Sequence, residues 1–205
     1  MRKEIIIVGQ GEQGLIVKNV LDQLDEYSFK GFLDDGIADE HTLGKISEFK
    51  KYIDKVSFFI ALGDNVFRKK IFEEITSAGG DCISIVHPTA VLEPGVKIGV
   101  NVYIGAFSYL NIGVSVADNT IVNTGCVIEH DNIVKAHTHI APSVTTAGRV
   151  TVGEGCLVGM GSVIIGGLTV GDWAIVGAMS NVVTHLNSHA MYYGNPAKKI
   201  KDLPK

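Results

Sequence analysis

Residues 127–142 read VIEHDNIVKAHTHIAP and gather His130, Asp131, His137 and His139 into an otherwise apolar stretch. A carboxylate next to an imidazole fixes one tautomer and leaves the other ring nitrogen able to take a proton. His130 with Asp131 is therefore a candidate general base with its partner. Three histidines also form a candidate zinc set. Solvated or structural histidines are the plain alternative, and that alternative is strongest for His137. The six-residue phase described below bears on the choice. Ile128, Val134 and Ile140 fall on its inward position, whereas His130, Asp131 and His139 fall off it and should project from a wall.

A second group lies near the N-terminus. The loop GQGEQG (9–14) supplies Gly9, Gly11, Gln13 and Gly14 between an apolar run and a helical pattern. In that context spaced glycines let backbone amides and a helix N-terminus approach a phosphate. Asp34 and Asp35 follow at the end of the next apolar run, where acids commonly bond a ribose or a base edge. GDNVFRKK (63–70) then offers Gly63, Asp64, Asn65 and Arg68. These residues are either a ligand edge with Arg68 toward phosphate, or a helix N-cap with a solvated basic face. The segment is too short for a full dinucleotide fold, which favours a mononucleotide or nucleotide-sugar over NAD. At the far end, YYGNPAKKIKDLPK carries Lys198, Lys199, Lys201 and Lys205 after Gly194, Asn195 and Pro196. That basic end suits an anionic, phosphate-bearing donor such as coenzyme A, or is simply solvated.

Two segments of different periodicity must hold these residues. Over 1–85, the runs EIIIV (4–8), FKGFL (29–33), VSFFIAL (56–62) and CISIV (82–86) alternate with helical patterns. This predicts a small Rossmann-like α/β half-domain with a parallel sheet of four strands. From Val86 every sixth residue is aliphatic, through Leu92, Ile98, Ile104 and onward to Val182; of these seventeen positions only Thr146 departs. Glycine often follows the aliphatic residue, and a small residue often stands four places after it. A period of six predicts a parallel β-helix over 86–205. Each hexad makes one flat face, three faces close a coil, and the aliphatic side chain points to the axis.

Composition agrees with that reading. Hydrophobic residues make up 46% and charged residues 20%, enough for a core and against wholesale disorder. Aromatics are only 7% while glycine reaches 24 residues, which favours thin aliphatic packing with many turns. A net charge of -4 weighs against a nucleic-acid partner. The apolar run in MRKEIIIVGQG is too short for a signal sequence or a membrane span. Cys82, Cys126 and Cys156 are widely spaced with no CxxC pair. Together these features predict a soluble, cytoplasmic protein of a reducing compartment.

The motifs occur in one order: the glycine loop and acids, GDN…RKK, NTGCVIEHD, HTHIAP, TTAGRVTVGEG and GNPAK. In that order, and over essentially its whole length, the chain resembles the NeuD/PglD sugar acyltransferases. Members of this hexapeptide-repeat family modify nucleotide-linked amino sugars or sialic acids for bacterial glycans. The resemblance implies that the β-helix is left-handed, assembles as a homotrimer, holds acetyl-CoA and needs no metal. It implies that the N-terminal domain holds the nucleotide-sugar and that the two ligands meet at a trimer interface. By the same resemblance, His130 is the catalytic base, Asp131 its acidic partner, and Gly148 the residue whose amide faces the thioester oxygen. His139 lies near the acyl carbonyl and pantetheine, Asn123 contacts the sugar, and Gly194, Asn195 and Pro196, with Lys198 beside them, form the coenzyme A loop. The family's glycine loop commonly reads Gly-His-Gly where this chain has Glu12-Gln13-Gly14. Glutamine does not titrate near neutral pH, a departure that bears on the identity of the sugar rather than on the reaction.

The function expected is acetyl-CoA-dependent N-acetylation of a nucleotide-linked 4-amino-deoxysugar. An amine attacking a thioester must lose a proton, whereas the thiolate leaves with little help, so one base and one oxyanion donor are the minimal equipment. The alternatives are a sialic acid O-acetyltransferase, a zinc hydratase built on the same prism, and a non-catalytic nucleotide-sugar-binding scaffold.

Overall fold

The computed structural model describes residues 2–204, so Lys205 of the basic tail lies outside the described residues. The chain divides into two compact units, Met1–Pro88 and Thr89–Lys205.

In the first unit, β1 (Lys3–Val8) leads into α1 (Glu12–Leu21) and β2 (Tyr27–Leu33). A short β3 (Thr42–Gly44), a 3-10 helix (Ile46–Lys51), β4 (Ser57–Ile60) and α2 (Asn65–Ser77) follow. The sheet runs β3-β2-β1-β4, with every pairing parallel. Ile5, Ile6, Ile7 and Val8 are all wholly buried, which is why β1 reads as a continuous apolar run rather than an alternation: helices cover both of its faces. Ile71, Phe72 and Ile75 of α2 pack into the same core as Phe58 and Ile60. The run CISIV does not make a full fourth strand as expected. Cys82 alone bridges to Phe58, and Ile85–Val86 form a separate two-residue strand. Val86 is already the first inward position of the hexads, so the backbone leaves the sheet there to enter the repeat. The strand β3, only three residues long, gave no periodic signal.

From Val91 the chain is a parallel β-solenoid of two-residue strands joined by corners. One face stacks Tyr103–Ile104, Ile121–Val122, His139–Ile140, Leu157–Val158 and Ile175–Val176. A second stacks six strands from Val91–Leu92 to Asn181–Val182, and a third stacks five from Lys97–Ile98 to Thr169–Val170. Each strand pairs with the one a full coil later, as Ile121 with His139 and Val122 with Ile140. The aliphatic series fills the axis: Leu110, Val122, Ile128, Ile140, Val158 and Val182 are all wholly buried. Thr146, near in shape to valine, takes the same slot, its hydroxyl without a partner among the described residues.

The small residues between the aliphatics are also interior, and they do more than save space. Ser108, Thr138, Cys156 and Ser162 each donate to the carbonyl of a residue one layer on, Asn123, Gly153, Gly171 and Gly177 respectively, at 2.7–3.0 Å. Buried polar groups need partners, and these bonds tie successive coils together.

Candidate active site

His130 and Asp131 form the corner between the second and third faces. The carboxylate Oδ2 lies 2.9 Å from His130 Nδ1, with the two side chains 40% and 60% exposed. An Nδ1–H donated to Asp131 leaves Nε2 as the ring's lone-pair nitrogen, open to a solvent-borne group. Asp131 takes a left-handed backbone conformation (φ 59°), which the short polar side chain tolerates. The edge is stacked by backbone bonds: Asp131 N–H donates to Ile112 O, Arg149 N–H to His130 O, and Gly167 N–H to Gly148 O.

Glycine stands one coil away on either side. A Cβ on Gly148 would lie 2.3 Å from His130 Nε2, and one on Gly113 would lie 2.5 Å from Asp131 Oδ1. The imidazole therefore lies directly against Gly148. Among the described residues, no group accepts the Gly148 N–H. A lone-pair nitrogen and an uncommitted amide N–H are thus side by side. That pair can take a proton from a nucleophile and steady a negative oxygen.

The other two histidines of the opening stretch go elsewhere. His137 is buried at the corner between the third and first faces, in a left-handed conformation (φ 62°). It continues a ladder: Asn101 Nδ2 donates to Asn119 Oδ1 at 2.8 Å, and Asn119 Nδ2 lies 2.8 Å from His137 Nδ1. The sequence signal was there, as Asn101, Asn119 and His137 recur at the coil repeat. His139 lies on the first face, its Nε2 3.3 Å from Asn123 Nδ2. Asn123 Oδ1 accepts from Thr124 N–H, which fixes the amide orientation and makes His139 Nε2 the acceptor. The structure thus joins Asn123 with His139 but holds both on a different face from His130. Among the described residues, no group of three His, Cys, Asp or Glu side chains converges as a metal site would require.

The N-terminal loops meet within their own unit. Gly9 (φ 100°) packs against Ala61 and Leu62, so the glycine loop and the Gly63–Asn65 loop are neighbours. Gly14 approaches Gly9 O so closely that a Cβ there would collide, whereas Gly11 and Gly63 border open space. Gln13 Nε2 is buried with no partner among the described residues. Asp64 caps α2, accepting from Phe67 N–H at 2.7 Å, and Asn65 is the helix's first residue.

The two acids are largely spent on the loop itself. Asp34 accepts from the N–H groups of Gln10, Gly36 and Ile37, and Asp35 accepts from Ile46 N–H. Burial opposes the Asp34 charge, but its three backbone donors outweigh it and hold the carboxyl below its ordinary range. Gln10, which the sequence did not single out, bridges to Asp39 and Thr42 and closes this network. A cleft of about 300 Å³ lies among Asp34, Asp35, Ile37, Asp39, Lys45 and Glu48. Arg68 departs from the expected phosphate contact. It is wholly buried and donates to Leu62 O at 3.0 Å, and burial drives its guanidinium down to about 10. A sequence pattern does not reveal on which side of a helix a long cation will tuck.

At the C-terminal end, Gly194 N–H donates to Ser180 Oγ and Gly194 O accepts from Asn181 N–H. Asn181 Nδ2 lies 3.3 Å from Asn195 Oδ1, so the Gly194–Pro196 turn is stitched to the last coil. Lys198 opens an exposed strand, Lys198–Asp202, antiparallel to Ala190–Tyr193. Cys126 and Cys156 are buried donors to carbonyls, and burial pushes their thiols up to about 11 and about 12, so neither is a nucleophile.

Residues 4–75 match the family described as the PglD N-terminal domain. Residues 95–130 and 149–182 match the hexapeptide repeat of succinyl-transferase. Among solved structures, PerB from Caulobacter crescentus, in complex with CoA and GDP-perosamine, is 30% identical with a TM-score of 0.90, covering 97% of each chain. The acetyltransferase domain of PglB from Neisseria gonorrhoeae FA1090, in complex with acetyl coenzyme A, is 26% identical with a TM-score of 0.92. That match covers 98% of this chain and 100% of the other. The carnitine operon protein CaiE of Proteus sp. (strain LE138) is 35% identical over 138 residues, 59% of this chain and 68% of that protein. The match to its Salmonella agona counterpart spans 65% of that protein, just under two thirds.

Proposed function

This chain belongs to the hexapeptide-repeat acyltransferases that carry a PglD-type N-terminal domain, and from that premise we propose that it moves an acetyl group from acetyl-CoA to the amino group of a nucleotide-linked 4-amino-deoxysugar. The acetyltransferase class follows from the family; the acceptor and the roles of the residues are our reading. The observation that carries it is the contact of His130 with Gly148 beside Asp131.

The amine attacks the thioester carbonyl, and His130 Nε2 takes the proton that the nitrogen sheds as the C–N bond forms. Asp131 keeps the imidazole in the tautomer that can do this and stabilises the imidazolium that results. Gly148 N–H donates to the oxygen that becomes negative in the tetrahedral intermediate. When the C–S bond breaks, the imidazolium returns its proton to the thiolate, leaving CoA and the N-acetylated sugar. The open ground beside Gly11 and Gly63, at the N-terminus of α1, suits a diphosphate, with Gln13 in the first turn of the helix. Gly9 and Gly14 serve this loop by allowing its close turns, and Asp34, Asp35, Asp64 and Asn65 by holding its rim. Gly194, Asn195, Pro196 and Lys198 border the CoA end. Because His139 and Asn123 stand on a different face from His130, we assign them to an acyl site completed by a neighbouring copy in a homotrimer. The relatives solved with CoA and GDP-perosamine, or with acetyl coenzyme A, support ligands of these classes.

The test is CoA thiol release from acetyl-CoA with UDP-, dTDP- and GDP-linked 4-amino sugars, with sialic acid alongside. Release with a nucleotide-linked amino sugar and none with sialic acid is expected. Release with sialic acid alone, or nucleotide-sugar binding with no thiol release from any of them, would contradict the proposal.

A further inference from the structure

The geometry points to Asn132 as a positioning residue that aims both His130 and the Gly148 amide, an inference that rests on the reading of His130 as base. Asn132 is 1% exposed and takes an inward slot of the solenoid. On this edge the slots one coil below and one coil above are filled by Val114 and Val150, so an apolar residue fits the column. Ser108, Thr120, Thr138 and Ser162, in the equivalent slots of the other edges, are ladder donors. Thr138, for example, donates to Gly153 O, the carbonyl one layer on.

Asn132 makes that ladder bond, Nδ2 to Ala147 O at 2.9 Å, with one N–H and turns its other N–H to the corner. The same nitrogen reaches Glu129 O and, at 3.4 Å, His130 O. One buried amide therefore grips the backbone on both sides of the pair: the corner that carries the imidazole and the residue before Gly148. Ala147 C=O and Gly148 N–H belong to a single planar trans peptide, in which the two groups point in opposite directions. Holding the carbonyl inward on Asn132 turns the Gly148 N–H outward, to the side where His130 Nε2 lies. Asn132 Oδ1 is buried with no partner among the described residues. A valine would avoid that orphaned oxygen and would fill the slot, as Val114 and Val150 do, so filling the column does not require asparagine; what the asparagine adds is its hold on the Glu129 and Ala147 carbonyls. A break in the local rule beside a reactive corner is where function is expected to override stability.

The test compares Asn132→Val, Asn132→Thr, Thr138→Val and His130→Ala in one steady-state assay, with melting temperatures. Asn132→Val should melt close to Thr138→Val, each having lost its ladder bond, yet lose about tenfold in kcat, because the base and the donor drift from a shared aim. KM for both substrates should stay within about twofold, since ground-state binding is not its task. Asn132→Thr can restore the bond to Ala147 O, as Thr138 makes one to Gly153 O, and should recover part of the loss. Thr138→Val removes a ladder bond on another edge and should leave kcat unchanged. Parental kcat in Asn132→Val, or an equal fall in Thr138→Val, would overturn the inference. If His130→Ala is inactive while Asn132→Val is fully active, only the positioning role falls. If His130→Ala keeps its turnover, the base reading falls and this inference with it.

Discussion

His130 and His137 sit seven residues apart at successive corners of one solenoid, yet one is 40% exposed against a carboxylate and the other is 7% exposed inside a ladder of asparagine amides. What separates them is the residue one coil away. Around His130 and Asp131 the neighbouring coils present Gly113 and Gly148, which have no side chain to bond along the edge. The imidazole and the carboxylate are left to each other and to whatever arrives from solvent. Around His137 the coil below presents Asn119, whose amide takes the ring nitrogen and spends it on structure. The same side chain is thus a candidate base on one edge and a rung on the next. A histidine's place in the chain is less informative than what lies one coil above and below it.

Matched glycine substitutions test this contrast most sharply. Gly148 lies against the His130 ring and Gly155 against the Trp173 ring, with a Cβ on either falling about equally close, at 2.3 and 2.4 Å. Gly148→Ala should force the imidazole aside and lower kcat by about 10²-fold, since misplacing a reacting group by about an ångström costs that much. Gly155→Ala, at a left-handed backbone position (φ 65°), should leave kcat alone and cost at least about 1–3 kcal/mol of stability through overpacking and backbone strain together, read in a urea melt. Equal losses of turnover in the two would erase the distinction between the edges. A smaller effect is expected from His137→Ala, which removes the acceptor of a buried Asn119 amide. It should cost about 1–3 kcal/mol in the same melt with kcat unchanged. A large fall in kcat there would mean that the ladder edge is part of the chemistry after all.

Much of this contrast can be read in the sequence, because a solenoid turns chain position into space by a fixed rule. The hexad period gave the three faces and the inward aliphatics, since each strand is too short to drift out of phase. His130 and Asp131 were legible as a pair because they share one corner. Gly148 entered through resemblance, although three hexads place it directly over His130, and the coil length alone would have found it. Asn132 stands out by no sequence signal, because hydrogen bonds to Ala147, Glu129 and His130 carbonyls leave no mark on a hydrophobic pattern. In the α/β unit no such rule operates. The strands β1, β2 and β4 were legible as apolar runs, but the inward turn of Arg68 and the Gln10 network arise from tertiary packing. Asp34 was legible as an acid at the end of an apolar run, but the three backbone amides that engage its oxygens were not.

The central claim is that His130 takes the proton of the acceptor amine. It is tested most directly by kcat for CoA release in His130→Ala, measured beside its melting temperature with a nucleotide-linked amino sugar that the parent turns over. The account predicts a fall of about 10²- to 10⁴-fold, the usual worth of a general base, with the melting temperature essentially that of the parent. Turnover near the parent's in that variant, or a loss that tracks unfolding of the prism, would contradict it.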